Sequence, residues 1–205
     1  MIVTARQLSG LILSLGLAAC ASAPLHYYTL VAPLDAQVTT SAVAPGNLPF
    51  ELLPVAVPAQ VDQPQLVVRQ GGQGMVLLDG ERWIAPLGDE VRNALSADLA
   101  SEMHSQDISG LANGDRPRLR IKLDLRRFDS QPGGYALIEG SWSVRLLHGK
   151  QDAQLACSSR ISENVASGYT ALVQGHQRAL AQLAQQIAGV ARALGNGQAP
   201  TCPAP

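Results

Sequence analysis

The stretch "RLRIKLDLRRF", residues 118–128, alternates apolar and polar side chains with a period of two. Leu119, Ile121, Leu123 and Leu125 fall on one side, and Arg118, Arg120, Lys122, Asp124 and Arg126 on the other. Successive side chains of a strand point to opposite faces, so this strand has one dry face and one wet face. Parallel sheets are covered on both faces, whereas antiparallel sheets leave one face to water. The stretch therefore calls for an antiparallel sheet with something packed over its leucine side.

Reading outward, "DSQPGG" (129–134) predicts a turn, and the alternation resumes through Ala136, Ile138, Gly140, Trp142, Val144 and Leu146. "HGKQD" (148–152) predicts another turn, and Leu155, Cys157, Ser159 and Ile161 carry a third strand of the same meander. Two segments have the period that could cover the dry face. Leu87, Val91, Leu95 and Leu99 step by four with Ala94 beside them, and Asp89 and Glu90 suit the positive end of a helix dipole. They predict an amphipathic helix over 88–104. Leu172, His176, Leu180, Leu183, Ile187, Val190 and Leu194 step by three or four until Gly195 and Gly197 stop the second helix. Before the first helix, "ELLPVAVP" (51–58) has the apolar density of a buried strand. "QLVVRQ" (65–70), "GGQG" (71–74) and "MVLLDG" (75–80) spell a hairpin. The expected class is α+β, a two-layer domain with a mostly antiparallel sheet and two amphipathic helices on one face.

The chain opens differently. From Leu8 to Ala19 it is largely apolar behind a single Arg6, too short for a bilayer crossing of about 20 residues but right for an export signal. The run ends in "LAAC" (17–20), which resembles the bacterial lipobox, in which small residues precede a cysteine whose thiol takes up lipid. Cys20 is thus the expected lipidation site, and residues 1–19 the signal peptide. One acyl chain binds a membrane reversibly, whereas a diacylglyceryl cysteine carries two and holds. Ala21, in place of an aspartate after the cysteine, resembles signals sorted to the outer membrane. Residues 20–49 are expected to be a lipidated N-terminus and flexible spacer, 50–197 the folded domain, and 198–205 a Pro-rich tail. Within the spacer, "HYYTL" (26–30) reads either as an early strand or as aromatic residues resting on the membrane interface.

From Cys20 onward the chain has 14 basic against 16 acidic residues, which leaves no electrostatic footprint for nucleic acid. Cys157 and Cys202 are either two free thiols or, in an oxidising compartment, a bridge that pins the tail. Nothing in the sequence assembles a reaction. There is no G-x-S-x-G, no Cys-x-x-Cys and no histidine pair at helical spacing, and "GGQG" lies between strands rather than before a helix. No catalytic residue, metal ligand or cofactor site is expected, and His176, on the apolar stripe, reads as a core or interface histidine. Candidate contact residues are Arg82 and Trp83 ahead of the first helix, although Trp83 suits the core as well. Arg118, Arg120 and Lys122 on the wet strand face suit an acidic partner, lipid headgroups or plain solvent.

Taken in order, the lipobox, "YYTL", "LLPVAVPAQVDQPQLVVR", "ERWIAPLGDEVRNALSADLA" and "GYTALVQGHQRALAQLAQQIA" resemble the PqiC-type ABC-transport auxiliary lipoproteins, the membrane integrity-associated transporter subunits. The resemblance implies a non-enzymatic lipoprotein of the outer membrane facing the periplasm. Its implied partner is an MCE-domain (mammalian cell entry) protein in a system that moves phospholipid or other hydrophobic molecules between membranes, and a homo-oligomer would suit the end of a tunnel. The competing reading is a stand-alone lipid-binding or envelope-assembly lipoprotein.

Overall fold

The structure, a computed structural model, describes residues 24–33, 47–112, 114–149 and 153–204. The expected export signal, Cys20 and most of the expected spacer lie outside them. In chain order the elements are β1 (His26–Tyr28), β2 (Phe50–Leu52), β3 (Gln65–Arg69), β4 (Met75–Trp83), α1 (Leu87–Met103), β5 (Arg118–Gln131), β6 (Tyr135–Leu147), β7 (Ala153–Asn164) and α2 (Tyr169–Gly195).

The meander is present as read. β5, β6 and β7 pair antiparallel, and β2 adds itself parallel to β5, giving the order β2-β5-β6-β7. Leu119, Ile121, Leu123, Trp142, Val144 and Ile138 are buried on the dry face together with Leu180, Leu183 and Ile187 of α2 and Val91, Leu95 and Leu99 of α1. Each such side chain contributes about 1.5–3 kcal/mol by leaving water. The fold is α+β, with two helices among the described residues and two mixed, open sheets.

The structure departs from the sequence reading in three places. The alternation of β5 holds only to Leu125, because a β-bulge between Leu125 and Arg127 shifts its phase by one residue. Beyond it Phe128 pairs with Ile138 and Ser130 with Ala136, so these two continue the dry face. Secondly, "ELLPVAVP" is not one buried strand. Only Phe50–Leu52 forms a ladder, Pro54 has no N–H to give, and pairing returns at a single bridge between Ala56 and Asp124. A proline-broken strand belongs at a sheet edge. Thirdly, the β3–β4 hairpin is part of a separate sheet of order β1-β4-β3, in which β1 runs parallel to β4. The folded body therefore begins at β1, ahead of the boundary that composition suggested at Phe50. Val68 and Leu78 of this second sheet pack with Ala136, Val165, Leu172 and Tyr169, tying it to the start of α2.

Candidate functional site

The wet face of the four-stranded sheet brings together three of the five contact residues expected from sequence. Register sets rows across it: Glu51–Arg120–Arg145–Gln154, then Lys122–Ser143–Ala156, then Asp124–Ser141–Ser158. Small side chains on β6 and β7 leave the middle of the face low. A shallow trough of about 710 Å³ lies there, lined by Lys122, Asp124, Arg126, Ser141, Ser158 and Cys202. A smaller one of about 420 Å³ continues it past Arg120, Arg145 and Gln154.

The charges on this face are only partly spent on one another. Glu51 Oε2 accepts from Arg120 Nε at 3.0 Å and lies 3.5 Å from Arg118 Nε. Lys122 and Asp124 pair at 2.8 Å in the open, where such a pair stabilises little. Glu139 lies 3.6 Å from Arg160 and 3.8 Å from Arg127. Among the described residues Arg126 and Arg145 have no ion pair. The face is thus net basic on a chain whose formal net charge is −1. Arg145 was missed in the sequence, although it alternates outward between Val144 and Leu146 as surely as Lys122 does.

The other two contact candidates, Arg82 and Trp83, sit at the end of β4. Trp83 is 6% exposed and meets Phe128 edge-on with ring centroids 6.0 Å apart, so the core reading of Trp83 holds. Arg82 stays half-exposed. Next to them the chain leading back toward Cys20 is fastened at several points. Tyr28 Oη donates to Glu81 at 2.6 Å, and His26 Nδ1 lies 3.1 Å from the same carboxylate. Burial first, and then the bond to Glu81, push the Tyr28 hydroxyl up to about 12. Glu90, 3% exposed, accepts from Thr29 Oγ1 and from the Leu30 backbone N–H, each at 2.8 Å. Sequence reasoning gave Glu90 to the helix dipole alone. Its second duty is invisible there, because its partners lie 60 and 61 residues away.

Cys157 and Cys202 are joined by a disulfide, with Cα atoms 5.6 Å apart. The bridge holds the C-terminal tail beside β7, where Cys202 and Pro203 wall the larger trough. His176 is fully buried, stacked on Phe128 at 3.9 Å, with Ser130 Oγ 2.8 Å from its Nε2. Burial pushes its imidazole down to about 3, only partly opposed by the charge of Asp129, so it stays neutral in the core. Among the described residues no group of three or more His, Cys, Asp or Glu side chains is placed to hold a metal. None of the helices described is long and apolar enough to cross a membrane.

A family model for the ABC-type transport auxiliary lipoprotein component matches residues 28–188. No curated protein matches the chain in sequence. Among solved structures, a crystal structure of an uncharacterised protein is 23% identical, with a TM-score of 0.59 over 81% of this chain and 97% of its own. A Xanthomonas campestris protein of family DUF330 is 17% identical, with a TM-score of 0.55 over 84% of this chain and 97% of its own. At these identities the likeness is one of fold.

Proposed function

Because the chain belongs to the family of ABC-type transport auxiliary lipoprotein components, we propose that it is a non-enzymatic, outer-membrane lipoprotein subunit of an MCE-type system for intermembrane transport of phospholipid or other lipid. In this reading residues 1–19 are cleaved, Cys20 carries the lipid, and the domain that begins at β1 faces the periplasm. It docks the tunnel protein through the basic sheet face and so supports envelope integrity, while other chains supply the ATPase and the tunnel.

The observation that carries this is the extent of the family match. It starts in β1, ends within α2, and so takes in both sheets and both helices. The uncompensated Arg126 and Arg145 support an acidic partner for the face, since surface charge steers association even where it adds little affinity.

The test is an affinity capture of the acylated protein from envelope extracts, with its companions identified by mass spectrometry. An MCE-domain protein among them supports the reading. Recovery of the protein alone, carrying bound phospholipid, replaces it with a stand-alone carrier.

A further inference from the structure

β1 presents two different sides. His26 and Tyr28 turn toward Glu81, and both hydrogen-bond to it. Tyr27 points the other way, in register with Arg82. Leu25 precedes Tyr27 by two residues and Ile84 follows Arg82 by two, so alternation sets all four on one side. The Ile84 backbone N–H donates to the Tyr28 carbonyl at 2.9 Å, which keeps Ile84 alongside β1 beyond the end of the ladder. Gly80 lies beneath the start of the strand, 3.6 Å from the Pro24 carbonyl by the Cβ it lacks, and gives Leu25 no side chain to lean on.

These apolar side chains are left in the open. Leu25 is 47% exposed, Tyr27 54% and Ile84 60%. A leucine, a tyrosine and an isoleucine with one arginine and no acid have the composition of a membrane-interface contact. The tyrosine ring sits at headgroup level, and the arginine stem runs over apolar surface toward phosphate. Chain length brings this patch to such a surface. Leu25 is the fifth residue after Cys20, a reach of at most about 18 Å when fully extended.

We propose that the face formed by Leu25, Tyr27, Arg82 and Ile84 rests on the phospholipid surface in which Cys20 is anchored, as a second, non-covalent membrane contact that fixes the orientation of the domain. This rests on the lipoprotein reading above. The contact gives the anchored domain a defined pose, with the protein lying against the bilayer by its three-stranded sheet.

The test uses the full-length acylated chain in vesicles of phosphatidylethanolamine and phosphatidylglycerol containing radiolabelled phospholipid. A benzophenone amino acid replaces Tyr27, Ile84 or, on the polar face of the other sheet, Ser158. All three positions are exposed, so folding is not at stake. Label transfer on illumination at least five-fold greater from positions 27 and 84 than from 158 is the expected result. Equal transfer from all three, or crosslinks from position 84 to a second copy of the chain in place of lipid, overturns the proposal. Palmitate on Cys20 is measured in the same samples. Its absence sinks the anchored reading and this inference together, whereas palmitate present with no preference for 27 and 84 sinks the inference alone.

Discussion

Two titrating side chains give the molecule opposing responses to acid. His176 keeps its proton off until about pH 3 in the folded protein, whereas an unfolded chain takes one up at its ordinary value of 6.5. Between those values the unfolded state binds more protons, so stability is fully present above 6.5 and is lost as pH falls. From pH 6.5 to 5 this amounts to about 2 kcal/mol. Asp98 runs the other way. Burial and then the nearby Glu102 raise its carboxyl from 3.8 to about 6, so acidification between 6 and 4 stabilises the fold. Asp98 keeps access to water, and screening reduces its share to about 1 kcal/mol. The histidine wins: urea midpoints should fall from pH 7 to pH 5 in the native protein, and a His176→Phe variant should show a flat or reversed slope. A native midpoint unchanged between those pH values contradicts this. At Glu90 the expected effect is a lost hydrogen bond. Glu90→Ala leaves the buried Leu30 N–H without its acceptor, a loss of about 1–3 kcal/mol. Faster hydrogen exchange at the Leu30 amide checks it, and Glu90→Gln, which keeps an oxygen, should recover part of the protection.

The elements show why some of the fold could be read from the sequence and some could not. Both helices were read within a residue or two at most ends, because a stripe at spacings of three and four is a property of the segment itself. The meander was equally plain, since its strands follow one another across short turns. What escaped was non-local: the parallel pairing of β1 with β4 and of β2 with β5, the bulge in β5, and the clamp at Glu90. Gly140 registers opposite the bulge at Leu125, and a Cβ there would meet the Asp124 carbonyl at 2.8 Å, yet in sequence it is one more small residue. Gly175 on α2 is similar. An added Cβ would run into Val165 Cγ1 and lie 3.0 Å from Ala136 Cβ, in the cluster that joins the two sheets through α2. Gly175→Ala gains up to about 1 kcal/mol of helix propensity but overpacks a site that cannot give way, at about 1–3 kcal/mol. The net expectation is a lower thermal midpoint, and a rise would show that α2 can lift off β6 freely. The disulfide belongs to this scale too. It closes a loop across a separation of 45 residues, and reducing or removing it through Cys202→Ala should destabilise the domain by about 2–4 kcal/mol. The tail beyond Gly197 should then become the first site of proteolysis, as seen by mass spectrometry of limited digests.

For the whole molecule the question is how a body with a formal net charge of −1 presents a basic face in one direction. The disposition of ion pairs decides which arginines are available. Arg69 and Arg127 both bond to Asp129, which is 3% exposed, so they close the junction between the two sheets and are committed to structure. Arg118 and Arg120 share Glu51 at the sheet edge. Among the described residues Arg126 and Arg145 have no such duty, so reversing their charge should disturb docking without disturbing the fold. An Arg126→Glu/Arg145→Glu variant is expected to keep its thermal midpoint, because surface substitutions away from structural pairs change stability by about 0.5 kcal/mol or less. Its association with the acidic partner should fall at least ten-fold at about 0.05 M salt, and the deficit should shrink as salt shortens the reach of the charges. Association rates measured by surface plasmon resonance on the captured complex, across a salt series, check both halves of the expectation. Unchanged rates at low salt would move the docking surface off this sheet. A collapse of the thermal midpoint would instead mean that these two arginines hold the meander together, and the physical argument from their ion pairs would be wrong.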